Sequence, residues 1–240
     1  MINKILVYAD YGTEDLCVLF SIKLLLSQYP NAWIRKIYSE EVIKGTWTEE
    51  CDLFCMPGGS DREIITKLEG TGVENIKNYV HNGGRYLGIC AGAYFACAFI
   101  EFNKDVDDPI VLVAPREMKL FPGKAVGPIY RGFREHSSEG LVLAPIKYGN
   151  NQTARIIYNG GCGFVPYEDD KTEYNFPAQY EVNGMNAVFA GTAGKGKVLL
   201  SGVHFEFDAI AASMKLPKEE LPKYEMDRMM FIQYIMQFLN

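Results

Sequence analysis

Apolar and polar positions alternate in blocks along the first hundred residues. KILVYAD (4–10) is a short apolar run ending on polar residues, the pattern of a strand buried on both faces. YGTEDLCVLFSIKLLLSQYP follows, with apolar positions through Leu26 dense enough for a well-buried helix. Thr13 is placed to cap that helix, Glu14 and Asp15 lie at its positive end, and Pro30 stops it. Residues 32–38, AWIRKIY, read as a second strand, and DLFCMPGGSD (52–61) as a third that runs into a Gly-Gly turn. In TGVENIKNYVHNGG (71–84), Val73, Ile76 and Val80 share one helical face. Thr71 and Glu74 fit a capping box there, and Asn82-Gly83-Gly84 fits the stop. RYLGI (85–89) is a fourth strand, and residues 91–99 read as a helix of small residues. This alternation predicts an α/β chain with a doubly wound, mostly parallel sheet.

The pattern changes over 103–178, where Gly and Pro concentrate in FPG, GPIYRGF and YNGGCGF. Short strands are expected near 140–148 and 154–158. Regularity returns at NAVFAGTAGKGKVLLSGVHFEF (186–207), read as strand, Gly-rich turn and strand. KYEMDRMMFIQYIMQFLN then reads as an amphipathic helix whose methionines pack the core. GTAGKGK lacks the GxxxxGK[ST] spacing of a phosphate loop, so a hairpin turn is expected there. The whole chain, 1–240, is read as one domain.

Charge narrows the function classes. Twenty-four Lys and Arg stand against 30 Asp and Glu, a net charge of −6, with no basic run. No nucleic-acid partner is expected. No run of eighteen apolar residues suggests a membrane span, and MINKILVYADYG reads as a strand start rather than a leader. Six cysteines fall inside apolar runs, with no CxxC pair and only three histidines, His81, His136 and His204. A structural metal site is not expected, and a reducing, cytoplasmic setting is. Cys17 and Cys97 are read as core thiols.

Cys90 is the exception. In Gly88-Ile89-Cys90-Ala91-Gly92 it sits between a strand and a helix, with glycines two residues to either side. A strand that turns abruptly into a helix strains its corner residue, and small neighbours relieve the crowding. The side chain then lies at a helix N-terminus, which favours a thiolate. A buried core thiol remains the alternative. A nucleophilic thiol needs a base, and the base an orienter. SGVHFEFD (201–208) supplies His204 and Glu206, two apart after an apolar strand. Extended, both would face one side, with His204 as base and Glu206 fixing its tautomer. MPGG (56–59) offers backbone donors at Gly58 and Gly59, and Ala91 offers a further oxyanion donor.

A strand-end PGG, a GxCxG elbow and a late HxE, in that order, resemble class I glutamine amidotransferases. The resemblance implies a Cys-His-Glu triad of Cys90, His204 and Glu206 on a flavodoxin-like, three-layer sandwich. More closely, the chain resembles the amidotransferase-like domain at the N-terminus of biotin–protein ligases. MPGGSDREIITKLEGTG, YVHNGGRYLGICAGAYFA, PREMKLFPGKAVGPIY, YNGGCGF and GKGKVLLSGVHFEF carry it, clearest over residues 5–207. Arg116, Glu117 and Tyr130 lie in those stretches, as do Asn159, Gly160 and Gly161, and with Tyr94 they are candidates for the substrate pocket. Two positions depart from the glutaminase pattern. Tyr94 stands where glutamine is usual in GxCxGxQ, and HFE replaces HPE. No GRGxxG-like adenylate loop occurs, so this chain is not expected to biotinylate by itself.

The resemblance implies a cysteine-dependent amide hydrolase or amidotransferase that needs no cofactor or metal. Its partners would be a small-molecule or peptide amide substrate, with a protein that accepts ammonia or an acyl group. A non-catalytic regulatory or ligand-binding module and a peptidase-like hydrolase stay open beside it.

Overall fold

Four of the apolar runs become adjacent strands because each is apolar on both faces. The fold was obtained as a computed structural model that describes all residues except Met1, Asp105, Pro109, Glu135 and His136. His136, one of the three histidines, therefore lies outside the described residues. In chain order the strands begin with β1 (Lys4–Tyr8), β2 (Trp33–Ile37), β3 (Leu53–Met56), β4 (Arg85–Ile89), β5 (Cys97–Phe102) and β6 (Leu112–Pro115). They continue as β7 (Phe121–Gly127), β8 (Val142–Tyr148), β9 (Gln152–Tyr158), β10 (Gly163–Pro166), β11 (Asn175–Tyr180), β12 (Asn186–Ala193) and β13 (Gly196–Ser201). The helices are α1 (Asp15–Gln28), α2 (Ser39–Lys44), α3 (Asp61–Leu68), α4 (Thr71–His81), α5 (Ala91–Ala96), α6 (Ala209–Ala212) and α7 (Leu221–Met236).

The sheet order is β2-β1-β3-β4-β13-β12-β10-β7-β5-β6, with β11, β8 and β9 paired off β12. From β2 to β13 every neighbour is parallel, the flavodoxin-like part of the sheet. Helices cover both sides, so side chains alternate between two cores. Leu6 and Tyr8 of β1, Phe54 and Met56 of β3, and Tyr86 of β4 face the core packed by α2 to α5. Ile5 and Val7, Leu53 and Cys55, and Leu87 and Ile89 face the core packed by α1 and α7. The period of two accounts for the continuous apolar runs in the sequence. No helix among the described residues is long and apolar enough to cross a membrane.

The Gly-rich middle region extends the sheet mostly by antiparallel pairing, with β7 lying parallel to β5. The two strands expected near 140–148 and 154–158 form as β8 and β9, and they pair as an antiparallel hairpin from Val142 with Tyr158 through Tyr148 with Gln152. The hairpin at GTAGKGK is present between β12 and β13. Helices α2 and α3 are additions to the sequence reading.

The expectation that the methionines of the last helix pack the core holds only in part, since Met236 is buried while Met226 and Met230 are 58% and 44% exposed. Three further local expectations fail for tertiary reasons. Thr13 does not cap α1; its hydroxyl donates to the Asp10 carbonyl at 2.8 Å while its backbone bridges to Gly59, and the cap position passes to Glu14. Thr71 is the first residue inside α4, with Gly70 at the cap, so no capping box forms. The helix expected over 91–99 ends at Ala96, because Cys97–Phe102 is drawn into β5 by pairing with β6 and β7. The helix stop at 82–84 does form, with the Gly84 amide donating to the Tyr79 carbonyl at 3.0 Å.

Candidate functional site

The elbow is set by close approach of backbone. A Cβ on Gly92 would lie 2.0 Å from the Met56 carbonyl oxygen, and one on Gly88 2.5 Å from the Gly92 carbonyl oxygen. With glycine at both places, β4 turns directly into α5. Cys90 takes the corner at φ 51°, ψ −107°, a conformation that costs a non-glycine residue about 1–3 kcal/mol. The surroundings hold it there. Its amide donates to the Ser201 carbonyl on β13 at 2.8 Å, and its carbonyl accepts from the Ala93 and Tyr94 amides at 2.9 and 3.0 Å. The thiol is 7% exposed and points to the Asn159 carbonyl oxygen, 3.7 Å away.

His204 comes to this corner by a turn. HFE lies beyond β13 in irregular chain, so the extended geometry expected from its spacing is replaced by a tight bend. The bend still brings the two side chains together, with His204 Nδ1 2.7 Å from Glu206 Oε1. The His204 amide donates to Ile157 on β9 at 2.7 Å, and Phe207 stacks on the ring at 5.1 Å. Both side chains are buried, at 3% and 1% exposure. Burial alone would drive the proton off the imidazole. The Glu206 carboxylate opposes it, joined by Cys90 and Cys17, which also hydrogen-bond the ring, and the net effect holds His204 well above the usual histidine range. With Nδ1 taken by Glu206, Nε2 is the nitrogen left for proton transfer.

Cys17 is the residue that sequence reasoning missed. It is buried, as expected of a core thiol, but it sits in the first turn of α1 against the imidazole and on the wall of the cavity over Cys90. Burial pushes its thiol up, and the hydrogen bond from His204 pulls the other way. Donor atoms of Cys17, His204 and Glu206 all lie within 4.8 Å of one another. Thiolate, imidazole and carboxylate at that spacing form a donor set that a zinc-like cation would accept. Nothing in the sequence flags this cluster, because Cys17 is far along the chain from His204 and Glu206; the Thr13–Gly59 bridge lies just before the helix that carries it.

Gly58 is the spacer between these groups. A Cβ there would lie 2.9 Å from both Cys17 Sγ and His204 Cε1, and 3.5 Å from the Cys90 Cβ. Gly58→Ala is expected to push the thiol and the ring aside, at about 1–3 kcal/mol, and to slow Cys90 alkylation at least about 10-fold. Thermal melts and the alkylation rate, measured on one preparation, check both halves. Unchanged alkylation would show that the spacing is loose.

Gly59 and Ala91 both line the cavity. Neither amide donates a hydrogen bond to a described residue, so both remain available as oxyanion donors. Tyr94, Asn159 and Gly160 also line the cavity, whereas Gly58, Arg116, Glu117, Tyr130 and Gly161 lie off its wall. The Tyr94 hydroxyl is spent on the Gly160 carbonyl at 3.1 Å. Arg116 is buried behind Asp61, which it grips with Nε and Nη2 at 2.8 and 2.6 Å. Glu117 is exposed, and its carbonyl accepts from Lys77 at 3.4 Å. Tyr130 packs edge-on against Tyr158 at 5.0 Å.

A family model for the N-terminal region of biotin–protein ligase matches residues 3–240. The chain belongs to the biotin–protein ligase N-terminal family. A biotin–protein ligase of Schizosaccharomyces pombe is 29% identical over 245 residues, covering 99% of this chain and 38% of the ligase. This family member therefore spans well under half of that relative. An uncharacterized protein of Chlamydia muridarum is 34% identical over 212 residues, 85% of this chain and 81% of that protein. Among solved structures, a cytoplasmic protein of Salmonella typhimurium LT2 superposes with TM-score 0.51 at 12% identity over all of both chains. An exo-beta-1,4-mannosidase from an Opitutaceae bacterium gives 0.54 at 10%, over 98% of this chain and 36% of its own. Both likenesses concern the α/β fold that this family member shares with them.

Proposed function

We propose that this family member is a cysteine-dependent acyl-transfer enzyme, an amide hydrolase or amidotransferase. One observation carries the reading: a buried imidazole joined to Glu206 on one nitrogen also contacts Cys90 at a strained elbow opening on a cavity. Cys90 Sγ adds to the substrate carbonyl, and the Gly59 and Ala91 amides receive the oxyanion. His204 gives its proton to the leaving amine as the C–N bond breaks. Water then attacks the thioester, returns a proton to His204 and releases the acid, unless an amine on a partner takes the acyl group instead. Six unpaired, buried thiols suit a reducing, cytoplasmic setting.

A second reading, a ligand-binding regulatory module, draws support from Tyr94. Its hydroxyl is committed to Gly160, so the place that positions glutamine in glutaminases is filled by a structural contact.

The test is reactivity at single-residue resolution. Burial pushes the Cys17, Cys55, Cys97 and Cys162 thiols up and takes Cys51 to about 12. Under iodoacetamide at pH 7, peptide mass spectrometry is expected to find Cys90 modified at least about 10-fold faster than any of these five. A screen of activated amides is expected to show turnover that Cys90→Ala abolishes. Uniformly slow labelling, with no turnover, would leave the regulatory reading standing.

A further inference from the structure

The cavity over Cys90 has a volume of about 580 Å³ and walls that are mostly apolar. One wall is an aromatic ladder. Tyr94 meets Phe102 edge-on at 5.8 Å, and Phe102 meets Phe133 edge-on at 5.7 Å. The ladder is built into the fold. A Cβ on Gly127 would fall 1.9 Å from the Tyr94 hydroxyl, and one on Gly160 2.5 Å from the Phe133 ring. At the mouth, Leu16, Ile210 and Met214 line the opening and stand 60%, 68% and 60% exposed. Apolar side chains left in water around a preformed apolar cavity gain most from an apolar ligand.

The charged groups of the wall are already engaged. Asp61 is held by Arg116, Glu63 accepts from the Tyr11 hydroxyl at 2.9 Å, and Glu14 and Arg62 have partners as well. A free α-amino acid would bring an ammonium and a carboxylate into this space with no unengaged charge of the wall to meet either.

We infer that the cavity selects a substrate whose acyl group is apolar, an alkanoyl or arylalkanoyl amide, and rejects free amino acids such as glutamine. The inference rests on the nucleophile reading above. It adds that the ladder and the mouth residues bind the chain while Cys90 Sγ bonds to its carbonyl carbon. The C–N bond breaks, the amine leaves with the proton from His204, and water releases the carboxylic acid.

The experiment uses the intact protein and no unidentified ligand. Alkyl chloromethyl ketones, R–C(=O)–CH2Cl with R methyl, butyl, hexyl or benzyl, which carry the varied group on the acyl side, are reacted with it at pH 7 beside 5-chloro-4-oxopentanoic acid and followed by intact mass. In each case sulfur displaces chloride, and rates on free glutathione correct for intrinsic reactivity. The corrected Cys90 rate is expected to rise roughly 3-fold per methylene from methyl to hexyl. 5-Chloro-4-oxopentanoic acid, with its carboxylate, is expected to be slower than the methyl compound. Phe133→Ala, checked for folding by its melt, is expected to flatten the rise. A rate independent of chain length, or fastest with the carboxylate compound, overturns the inference while leaving Cys90 a nucleophile. Cys90 inert even to iodoacetamide would instead overturn the nucleophile reading, and this inference with it.

Discussion

His204→Asn is expected to slow Cys90 alkylation at pH 6 by about 100-fold, and Glu206→Gln by at least about 10-fold. An unassisted thiol titrates near about 8.5, so only about 0.3% of it is thiolate at pH 6. On the proposed acyl-transfer reading, the buried imidazole beside the sulfur supplies the missing assistance in its protonated form, and the dependence runs from Glu206 to His204 to Cys90. Burial acts against the charged ring, and the carboxylate 2.7 Å away reverses that. With glutamine at 206 the hydrogen bond can survive while the charge is lost. Burial then prevails, and the ring gives up its proton at lower pH. Imidazole NMR is expected to show wild-type His204 keeping its proton well past about pH 6.5 and the variant losing it below that. The sign for stability follows from the same shift. A histidine raised in the fold contributes fully below the unfolded value near about 6.5, and that contribution fades as pH rises through the folded value. The stability margin from this pair is therefore expected to be wider at pH 6 than at pH 9 in urea titrations. Identical His204 titration in wild type and Glu206→Gln would remove the orienting role assigned to Glu206.

The parallel strands, the elbow and the His–Glu pair were legible because each depends on near neighbours in sequence. Runs such as LFCM show both cores at once, since alternate residues serve opposite faces. The misread caps show the limit. Thr13 and Thr71 have the right chemistry, but a bridge to Gly59 takes the first and the chain enters α4 through Gly70. The sequence lets the helix run on to Phe99 because Cys97-Ala98-Phe99 is apolar enough for either state, and only the partners β6 and β7 decide. The cavity was harder still. Tyr94, Phe102 and Phe133 are spread over forty residues and form one ladder through the pairing of β5 with β7 and the packing of Phe133 over Gly160. Cys17 is seventy residues and more from Cys90, and nothing near it in sequence marks it as a neighbour of His204.

Arg116→Met is expected to cost about 3–5 kcal/mol at pH 7, the penalty for leaving a buried carboxylate without its cation. Arg116 is 7% exposed and the Asp61 side chain 12%, so solvent screens the pair little. Even with Arg116 in place, burial outweighs the guanidinium and the Asp61 carboxyl is raised above its ordinary range. Without Arg116 it rises further. For an acid raised in the fold the penalty is absent below the unfolded value near about 3.9, and it grows as pH climbs through the folded value. The variant should therefore recover part of its deficit between pH 7 and pH 4, where most proteins lose stability. Urea midpoints at pH 7, 5 and 4 measure this, and Asp61→Asn/Arg116→Met is expected to lie nearer wild type than Arg116→Met alone. A loss below about 1 kcal/mol that ignores pH would show the pair to be ordinary surface charge. The pair also bears on the site, since Asp61 opens α3 directly after Gly59 and Ser60 on the cavity wall, while the Arg116 amide is fastened to the Ala98 carbonyl at 2.9 Å. It ties the loop that carries the Gly59 amide to the strand leading away from the elbow, so breaking it should loosen one of the two amides proposed as oxyanion donors relative to the other. A fall in amide turnover larger than the fall in Cys90 alkylation is the expected sign, because alkylation by iodoacetamide needs no oxyanion hole.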